Sequence, residues 1–531
     1  MTSKILVIRF SSLGDIILAT ATVLNLKIAY PESSIYFLTK KRFAAIAARI
    51  PGVEKVIEIN ESPKISELIR LIRKLEKEEI EIIVDLQGNF RSFLIRTLLF
   101  AKQKVVYARD RASRSRIVRF KDFPQRPLHT IDKYNECITE LEQIPFARRP
   151  ILGAQSEKAD STKPPIIVVA PGASSMNKQW PVERFAEVAV QLQIKNNAKI
   201  IWASSSAEKT NLNLSDKFEV LVDCPIDKLA DIIHNADLCL ANDSGIAHLS
   251  SAVGTPVNAI FGPTHPALGF APRGLFDKVI EVDEYCRPCS LHGNKPCFRE
   301  ERFCFTRIGA DIVVAEVQKT LLMKKSKSPA LFVDRDGTVI IDKPFDSDPD
   351  NIEFESGSID ALKKAMNLGY KLVIVSNQSG IARGYFKLAD AENFNHVLNQ
   401  KLKQNGVDID AIYFCPHYPR GIVPKYANIC NCRKPAPGMA EKAARELNID
   451  LRRAFVVGDK MDDFNLGRII GAGSFLVKTG QGKDNLDILR KSCENADDFI
   501  CDNLNEAVDK IEKLKNALKK AKLHNVTSRR L

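Results

Sequence analysis

Apolar and polar residues follow one another along the chain as short strands alternating with longer helical segments. Apolar, β-branched runs at residues 5–10, 34–38 and 80–85 predict strands, and residues 14–29 and 66–78 between them have apolar positions at helical spacing. A second series starts at 166–170 and continues with 199–203, 238–241 and 257–261, and a third starts at residue 330. This alternation predicts an α/β protein with parallel sheets covered by helices.

Polar stretches interrupt this pattern and divide the chain. Residues 154–165 separate the first series from the second, and the charged residues 323–329 separate the second from the third. We therefore expect domains at 1–160, 161–322 and 330–505, a linker at 323–329 and a basic helical tail at 506–531. A chain of 531 residues is too long for one hydrophobic core, which agrees with this division.

Composition and charge narrow the class of protein. No run approaches the ~20 apolar residues of a membrane span, and the first residues do not form a signal peptide. Twelve cysteines in a chain this long favour reduced thiols or metal ligands in a cytoplasmic protein. The net charge of +13 favours anionic partners, but no nucleic-acid module is present. The cationic tail either packs on the protein or lies on the cytoplasmic face of an anionic inner membrane.

Two aspartates one residue apart, Asp334 and Asp336, follow the strand that opens the third series. Because the strand ends there, the loop can turn both carboxylates toward one point. One such carboxylate can attack phosphorus while the other transfers protons. The alternative is an ordinary polar turn after a strand.

Further residues with matching chemistry lie at strand ends and in one loop of the third series. They are Ser376, Asn377, Gln378 and Ser379, then Arg433 and Lys434, then Asp459 and Lys460. Hydroxyl and amide donors grip phosphate, and the cations stabilise developing oxyanions. With the two aspartates they supply what Mg²⁺-dependent phosphoryl transfer requires, a combination typical of the haloacid dehalogenase (HAD) superfamily.

A second constellation in this series consists of Cys415, His417, Cys430 and Cys432. Three thiols and an imidazole suit tetrahedral Zn²⁺, and four protein ligands leave no open position, which favours a structural role. Because Cys432 directly precedes Arg433, a bound metal would fix the loop that carries the cations.

Residues 329–505 closely resemble the D-glycero-D-manno-heptose-1,7-bisphosphate 7-phosphatases. The resemblance lies in Asp-Arg-Asp-Gly-Thr at 334–338, Asn-Gln-Ser-Gly-Ile-Ala-Arg-Gly-Tyr at 377–385, and the Cys-Pro-His and Cys-Asn-Cys-Arg-Lys-Pro motifs. It implies that Asp334 attacks phosphorus, that Asp336 protonates the leaving oxygen, and that Asp334, the main chain at Asp336, and Asp459 hold Mg²⁺. It also implies that the residues 376–379, 433, 434 and 460 surround the substrate. The alternative is a histidinol-phosphate or other sugar-phosphate phosphatase.

The first two series carry their own strand-end residues. Asp15 follows the first strand and lies near the start of a helix, where the helix dipole keeps it ionised. Lys178 follows a loop of small residues, and a helix that opens at Asp243, Ser244 and Gly245 offers backbone amides to an anion. Asp15 could equally be a helix cap, and His248, one turn into that helix, could be a core histidine.

Residues 1–322 resemble the lipopolysaccharide heptosyltransferases, which are inverting GT-B enzymes with two facing Rossmann-like domains. The resemblance lies in Ser-Ser-Leu-Gly-Asp at 11–15, Pro-Gly-Ala and Lys-Gln-Trp-Pro at 171–181, and Asn-Asp-Ser-Gly-Ile-Ala-His at 242–248. It implies that Asp15 is the general base, that Lys178 holds donor phosphate, and that Asp243, Ser244, Gly245 and His248 line the nucleotide-sugar pocket. It also implies ADP-heptose as donor and the lipopolysaccharide inner core as acceptor. The alternatives are another nucleotide sugar, or a module that only binds.

Four more cysteines, at 286, 289, 297 and 304, end the second series. Their spacing permits a zinc site, but the last two do not form a second Cys-x-x-Cys pair, so we favour free thiols. Together the resemblances predict a bifunctional enzyme that uses Mg²⁺ and Zn²⁺.

Overall fold

A computed structural model describes residues 3–30, 32–108, 110–124, 129–139, 141, 149–153, 164–206, 214–274, 276–325, 328–492 and 496–527. The chain divides into two compact units, Met1–Lys325 and Ser326–Leu531. Residues 154–163 of the polar stretch between the first two series lie outside the described residues, as do 326–327 and 528–531.

The first unit begins with a five-stranded parallel sheet in the order β3-β2-β1-β4-β5. Its strands are β1 (Lys4–Ile8), β2 (Ser34–Lys40), β3 (Val53–Ile59), β4 (Ile82–Asp85) and β5 (Gln103–Val106). Its helices are α1 (Leu13–Ala29), α2 (Ala44–Ala47), α3 (Ile65–Glu76), α4 (Phe90–Leu98), α5 (Arg111–Phe120) and α6 (Thr130–Thr139). The parallel pairing agrees with the predicted βα alternation.

The same unit contains a second, six-stranded parallel sheet in the order β11-β10-β9-β6-β7-β8. Its strands are β6 (Ile166–Ala170), β7 (Lys199–Ser204), β8 (Glu219–Val222), β9 (Leu238–Asn242), β10 (Val257–Ile260) and β11 (Lys278–Ile280). Its helices are α7 (Val182–Asn196), α8 (Ile226–Asn235), α9 (Gly245–Ala252), α10 (Phe303–Thr306) and α11 (Ala310–Lys325). Helices cover a core that includes Trp180, Phe185 and Trp202.

The second unit is built on a six-stranded parallel sheet in the order β14-β13-β12-β15-β16-β17. Its strands are β12 (Ala330–Val333), β13 (Lys371–Asn377), β14 (Ala411–Cys415), β15 (Phe455–Gly458), β16 (Gly473–Val477) and β17 (Ile500–Cys501). Its helices are α12 (Ser358–Asn367), α13 (Leu388–Gln404), α14 (Gly438–Glu446), α15 (Met461–Ile470), α16 (Gly482–Ser492) and α17 (Leu504–Thr527).

The central strands of all three sheets are continuous apolar runs, because helices cover both faces of a parallel sheet. In each sheet the strand order reverses between two neighbours, namely β1 and β4, β6 and β9, and β12 and β15. Ligands of doubly wound sheets bind beyond the carboxyl ends of the strands at this point. The fold therefore identifies one candidate site at each reversal.

Two predicted boundaries differ in detail from the structure. Helix α11 continues to Lys325, so the first residues of the predicted linker are helical. Helix α17 begins at Leu504 and buries Ala507, Val508 and Ile511 in the core of the second unit. The predicted tail therefore starts as a packed helix. Among the described helices, none is both long and apolar enough to cross a membrane.

Candidate active sites

In the first unit, one cavity of about 1190 Å³ opens between the carboxyl ends of the two sheets. All of the predicted transferase residues line it, namely Asp15, Lys178, Asp243, Ser244, Gly245 and His248. They come from α1 on one side and from β9, α9 and the loop after β6 on the other. The sequence motifs therefore meet in one place.

Asp15 lies in the first turn of α1, where its carboxylate accepts several hydrogen bonds. Ser12 donates to Oδ2 through its backbone N–H (3.0 Å) and its hydroxyl (2.8 Å). Arg9 Nη2 lies 2.8 Å from the same oxygen, and the hydroxyl of Tyr134 donates to Oδ1 over 3.2 Å. Asp15 is therefore both a capping residue of α1 and a residue that lines the cavity.

The environment of Asp15 keeps it ionised. Burial alone would raise the pKa of Asp15, but the guanidinium of Arg9 and the hydrogen bonds from Ser12 outweigh it and lower the pKa below its ordinary value. Arg9 is itself buried, and it also donates to the carbonyl of Leu86 over 2.5 Å. The carboxylate is therefore charged and fixed in orientation.

Across the cavity, Lys178 and Asp243 form an ion pair. Lys178 Nζ lies 2.7 Å from Asp243 Oδ2, and the hydroxyl of Thr264 donates to the same oxygen over 2.7 Å. The loop that carries Lys178 is held by Asn242 at the end of β9, which accepts from Trp180 N and donates to the carbonyl of Pro171. A cation is thus presented beside the loop of small residues that follows β6.

Helix α9 begins at the cavity with Ser244 as its N-cap residue. Ser244 Oγ and His248 Nδ1 have no hydrogen-bond partner among the described residues. Burial lowers the pKa of His248, so its imidazole is neutral near pH 7. A Cβ on Gly14 would lie 2.8 Å from His248 Cδ2, so glycine at this position lets α1 and α9 approach closely. His248 thus lies at the junction of the two sheets and also faces the site.

In the second unit, the predicted nucleophile Asp334 follows β12 and contacts Lys434. Lys434 Nζ lies 2.6 Å from Asp334 Oδ1, 2.6 Å from Asp463 Oδ1 and 2.7 Å from the carbonyl oxygen of Val375. Burial alone would lower the pKa of Lys434, but the two carboxylates raise it to about 12. The lysine is therefore a permanent cation beside the nucleophile.

The second aspartate of the motif, Asp336, has partners that differ from those of Asp334. Its Oδ2 accepts hydrogen bonds from Ser376 Oγ (3.3 Å) and Gln378 Nε2 (3.0 Å), and Arg335 Nε lies 3.0 Å from Oδ1. Burial would raise the pKa of Asp336, but the positive charge of Arg335 outweighs it and lowers the pKa. The two carboxylates thus have different surroundings, as separate roles require.

Three carboxylates gather at the reversal point between β12 and β15. Asp334, Asp459 and Asp463 each place an oxygen within 4.8 Å of the other two. Burial and the neighbouring negative charges raise the pKa of Asp459 to about 8 and that of Asp463 to about 7. Positive φ (+79°) at Gly337, where a Cβ would lie 2.5 Å from Asp459 Oδ2, requires glycine there. A cluster of three carboxylates suits a hard divalent cation, which prefers oxygen ligands.

Two other predicted binding residues of this unit lie next to the same point, Asn377 through the loop of Lys434 and Lys460 through Asp459. Asn377 Nδ2 donates to the carbonyl of Lys434, and Lys434 N donates to Asn377 Oδ1, which ties the two loops together. Lys460 Nζ lies 3.7 Å from both Asp459 and Asp342. Ser379 forms the next turn, where its carbonyl accepts from Arg383 N.

The cysteine–histidine constellation also converges. Cys415 Sγ lies 3.5 Å from Cys430 Sγ and 3.7 Å from His417 Nδ1, and Cys432 Sγ lies 3.3 Å from that nitrogen and 3.2 Å from each of the other two sulfurs. Two ligands on one tetrahedral Zn²⁺ are separated by about 3.8 Å when the bonds are about 2.3 Å long. The residues thus have the spacing of a tetrahedral site.

Comparison with known proteins relates each unit to a family. Residues 68–296 match the model of glycosyltransferase family 9 (heptosyltransferase), and residues 431–507 match a HAD-hydrolase-like model. Over 186 residues the chain is 39% identical to D-glycero-beta-D-manno-heptose-1,7-bisphosphate 7-phosphatase of Escherichia coli O6:H1, covering 35% of this chain and 95% of that relative. Through its second unit, the chain belongs to this phosphatase family. Its first unit carries a glycosyltransferase family 9 domain.

Two solved structures are also similar. The family 9 glycosyl transferase from Veillonella parvula is 19% identical and covers 60% of this chain and 97% of its own, with a TM-score of 0.49. The D,D-heptose 1,7-bisphosphate phosphatase from B. bronchiseptica, in complex with magnesium and phosphate, is 30% identical and covers 35% of this chain and 98% of its own, with a TM-score of 0.31.

Several residues that contact the predicted site residues were not predicted from the sequence. Asp463 lies one helical turn after Asp459, and the Gly-Asp-x-x-x-Asp spacing would have indicated it. Arg9 lies just before the Ser-Ser-Leu-Gly-Asp motif and Thr264 lies after β10, and no pattern signals their contacts with Asp15 and Asp243. Tyr134 reaches Asp15 only because α6 packs on α1.

The cysteines at 286, 289, 297 and 304 of the transferase unit line one small cavity. Among the described residues, the groups close enough to share a metal are the two in the phosphatase unit. Burial and the neighbouring thiols raise the pKa of Cys289 to about 11, which favours a neutral thiol. These observations support the free-thiol interpretation.

Proposed function

We propose that the chain is a bifunctional enzyme of lipopolysaccharide heptose metabolism. The first unit transfers heptose from ADP-heptose to an inner-core acceptor, and the second removes the 7-phosphate from D-glycero-D-manno-heptose 1,7-bisphosphate. The proposal is carried by a pair of sites, one in each unit, at the points where the strand order reverses. The first unit matches a heptosyltransferase family and the second a heptose-bisphosphate phosphatase. One unit would process a heptose precursor and the other would use the activated sugar.

In the phosphatase unit, Asp334 attacks phosphorus and forms an acyl phosphate while the bond to the sugar oxygen breaks. Asp336, which is ionised in the free enzyme, takes up a proton when the anionic phosphate binds beside it and gives that proton to the leaving oxygen. It then takes a proton from the water that hydrolyses the acyl phosphate. Lys434, 2.6 Å from Asp334, neutralises charge on the transferred group. Ser376 and Gln378, which already contact Asp336, and the cations Arg433 and Lys460 orient the substrate.

A magnesium ion fits the carboxylate cluster. Asp334 and Asp459, together with the main chain at Asp336, are the ligands that the family resemblance implies, and Asp463 is close enough to join them. Asp459 Oδ1 accepts no hydrogen bond from the described residues, as expected of an oxygen that serves a cation. When bound, the ion would offset the negative charge of the phosphate and of the carboxylates around it.

Zinc at Cys415, His417, Cys430 and Cys432 would have a structural role, since the chain fills all four positions. Arg433 N donates to Cys430 Sγ over 3.3 Å, and Arg433 Nη1 donates to the carbonyl of His417 over 3.4 Å. The cluster therefore holds the loop that presents Arg433 and Lys434 to the phosphate.

In the transferase unit, Asp15 acts as general base and removes the proton of the attacking acceptor hydroxyl. Lys178 and the amides at the start of α9 receive the departing diphosphate, while Asp243, Ser244, Gly245 and His248 line the nucleotide-sugar pocket. The base on one side of the cavity and the cation on the other suit displacement with inversion. This division corresponds to an acceptor-side domain at 1–160 and a donor-side domain at 161–322.

A cytoplasmic location agrees with the thiols, because all eleven described cysteines are unbridged. Contact with the inner membrane would be peripheral. No nucleic-acid partner is proposed.

The two activities can be tested separately in one preparation of the full chain. Asp334→Asn should abolish phosphate release from heptose 1,7-bisphosphate and leave heptose transfer intact. Asp15→Ala should reduce transfer from ADP-heptose to a panel of truncated lipopolysaccharides by roughly 10²–10⁴-fold and leave phosphate release intact. Asp484→Asn, an exposed aspartate in α16, is the matched control.

Each half of the proposal has its own contrary result. Phosphate release by Asp334→Asn at the wild-type rate would remove the phosphatase assignment. No transfer to any acceptor by wild-type protein with working phosphatase would leave the first unit as something other than a heptosyltransferase.

A further inference from the structure

Helix α4 of the transferase unit exposes a second apolar stripe in addition to the one it buries. Ile95 and Leu99 point into the core, whereas Phe90 is 66% exposed, Phe93 48% and Leu98 54%. With 3.6 residues per turn, these three fall within roughly 140° of the helix circumference. A helix of a water-soluble domain ordinarily has polar residues on this outer face.

Arginines border the exposed stripe on both sides. Arg91 and Arg96 fall at its two edges, and the guanidinium carbon of Arg96 lies 5.8 Å from the centre of the Phe93 ring. An apolar stripe bordered by cations is typical of helices that lie in the interface of an anionic membrane.

Neighbouring helices continue the same chemistry. Helix α3 packs against α4 and exposes Ile65 and Ile69, which are 61% and 40% exposed. Helix α5 contains four arginines and no acidic residue, and it leads to Phe120 (66% exposed) and Phe123 (43% exposed). Five of the seven exposed phenylalanines of the described chain lie between residues 90 and 123. The exposed phenylalanines are therefore concentrated on and next to α4 and α5.

This surface borders the catalytic cavity. Helices α3, α4 and α5 each begin at the carboxyl edge of the first sheet, the edge from which Asp15 faces the cavity. Arg111 and Arg114 of α5 line the cavity, and the ring of Phe123 lies 4.7 Å from that of His265, which also lines it. The exposed faces of these helices thus lie at the entrance to the site.

We propose that the exposed faces of α3, α4 and α5 form a docking surface for an anionic lipid bilayer. The phenylalanines enter the interface, and the arginines bind lipid phosphates. Charge complementarity selects this partner, because the surface joins apolar side chains to an excess of arginine. The biological purpose rests on the proposed function, since a lipid-anchored acceptor must be met at a membrane, but lipid binding itself needs no transfer.

Co-sedimentation of the full chain with vesicles tests the proposal without any substrate. Vesicles of phosphatidylethanolamine and phosphatidylglycerol should pellet the wild-type protein, and vesicles of phosphatidylcholine should pellet much less. The double variant Phe90→Ser/Phe93→Ser should lose at least about tenfold in vesicle affinity, because it removes the inserted side chains. Arg119→Glu should weaken binding to the anionic vesicles alone.

Phe298→Ser is the matched control, since Phe298 is 72% exposed in the same unit but belongs to the segment between β11 and α10 and to none of these helices. It should bind vesicles as the wild type does. Unchanged ADP affinity and phosphatase activity in every variant would show that each is folded.

Three results would overturn the proposal. The wild type could fail to bind either vesicle, or the double variant could bind as well as the wild type, which would assign binding to another segment such as the tail. A wild-type dimer that the double variant converts to a monomer, seen by sedimentation velocity, would make this surface an interface between copies. If the wild type binds vesicles but transfers no heptose to a water-soluble acceptor, the result would count against the proposed function and not against the docking surface.

Discussion

The guanidinium of Arg9 lies 2.8 Å from the carboxylate of Asp15, the residue that we propose as the base of the transferase. Arg9 precedes α1 and Asp15 lies in its first turn, so the strand end and the helix start are joined by a charge pair. The pair lowers the pKa of Asp15, which keeps the carboxylate ionised but also makes it a weaker base.

Arg9→Gln should therefore move the acid limb of the transferase pH profile upward. Asp15 must be deprotonated to accept a proton, and without Arg9 burial raises its pKa, so activity is lost at a higher pH than in the wild type. The shift should be about one to three pH units, measured as kcat/KM against pH. Tyr134→Phe, which removes only one hydrogen bond from Asp15, should shift it less. An unmoved acid limb would mean that Asp15 is not the group that titrates.

Lys178→Ala should weaken binding of the nucleotide. A charged hydrogen bond contributes about 1.5–3 kcal/mol, so the Kd of ADP measured by calorimetry should rise roughly 10–100-fold. Lys199→Ala removes a lysine whose side chain is 55% exposed and pairs with Glu219, and it should leave the Kd unchanged. If Lys178→Ala and the wild type bind ADP equally well, the role of Lys178 is only to hold Asp243 in place.

Asp463→Asn should increase the magnesium concentration that the phosphatase requires. The change removes one of the three clustered carboxylates and one of the two that contact Lys434. Activity measured against magnesium concentration should be recovered at higher concentration, which distinguishes a ligand from a catalytic residue. Asp484→Asn should behave as wild type, and a magnesium dependence unchanged in Asp463→Asn would place the ion on other residues.

Zinc should copurify at about one ion per chain, and Cys430→Ser should lose most of it. Loss of the metal should also lower the Tm of the phosphatase unit, because the loop that carries Arg433 would no longer be held. Mass spectrometry of the metal content and thermal unfolding give the two measurements, and Cys224→Ser of the transferase unit is the control. Zinc undiminished in Cys430→Ser would point to other ligands.

The sequence was most informative where a strand ends in a reactive residue. The apolar runs predicted the parallel sheets, and the comparisons confirm both family resemblances drawn from the motifs. Asp243, Asp334 and Asp459 could be selected because each directly follows a strand, and Asp15 because it lies at the start of the helix after the first strand. Their catalytic roles remain predictions.

Contacts made by packing could not be derived in this way. Tyr134 lies far from Asp15 in sequence, and Gly14 lies far from His248, so only the folded unit brings each pair together. The charged stretch that suggested a linker begins within α11, which continues to Lys325. Local composition does not distinguish a solvated linker from such a helix end.

The pairing of β12 with β15 has a consequence for biosynthesis. Asp334 is made early in the phosphatase unit, whereas Asp459 and Asp463 are made late, after the zinc ligands. A nascent chain that still holds β15 and α15 within the ribosome presents one of the three carboxylates and no magnesium site. Zinc can therefore assist the early folding of this unit, whereas magnesium can stabilise only the completed sheet.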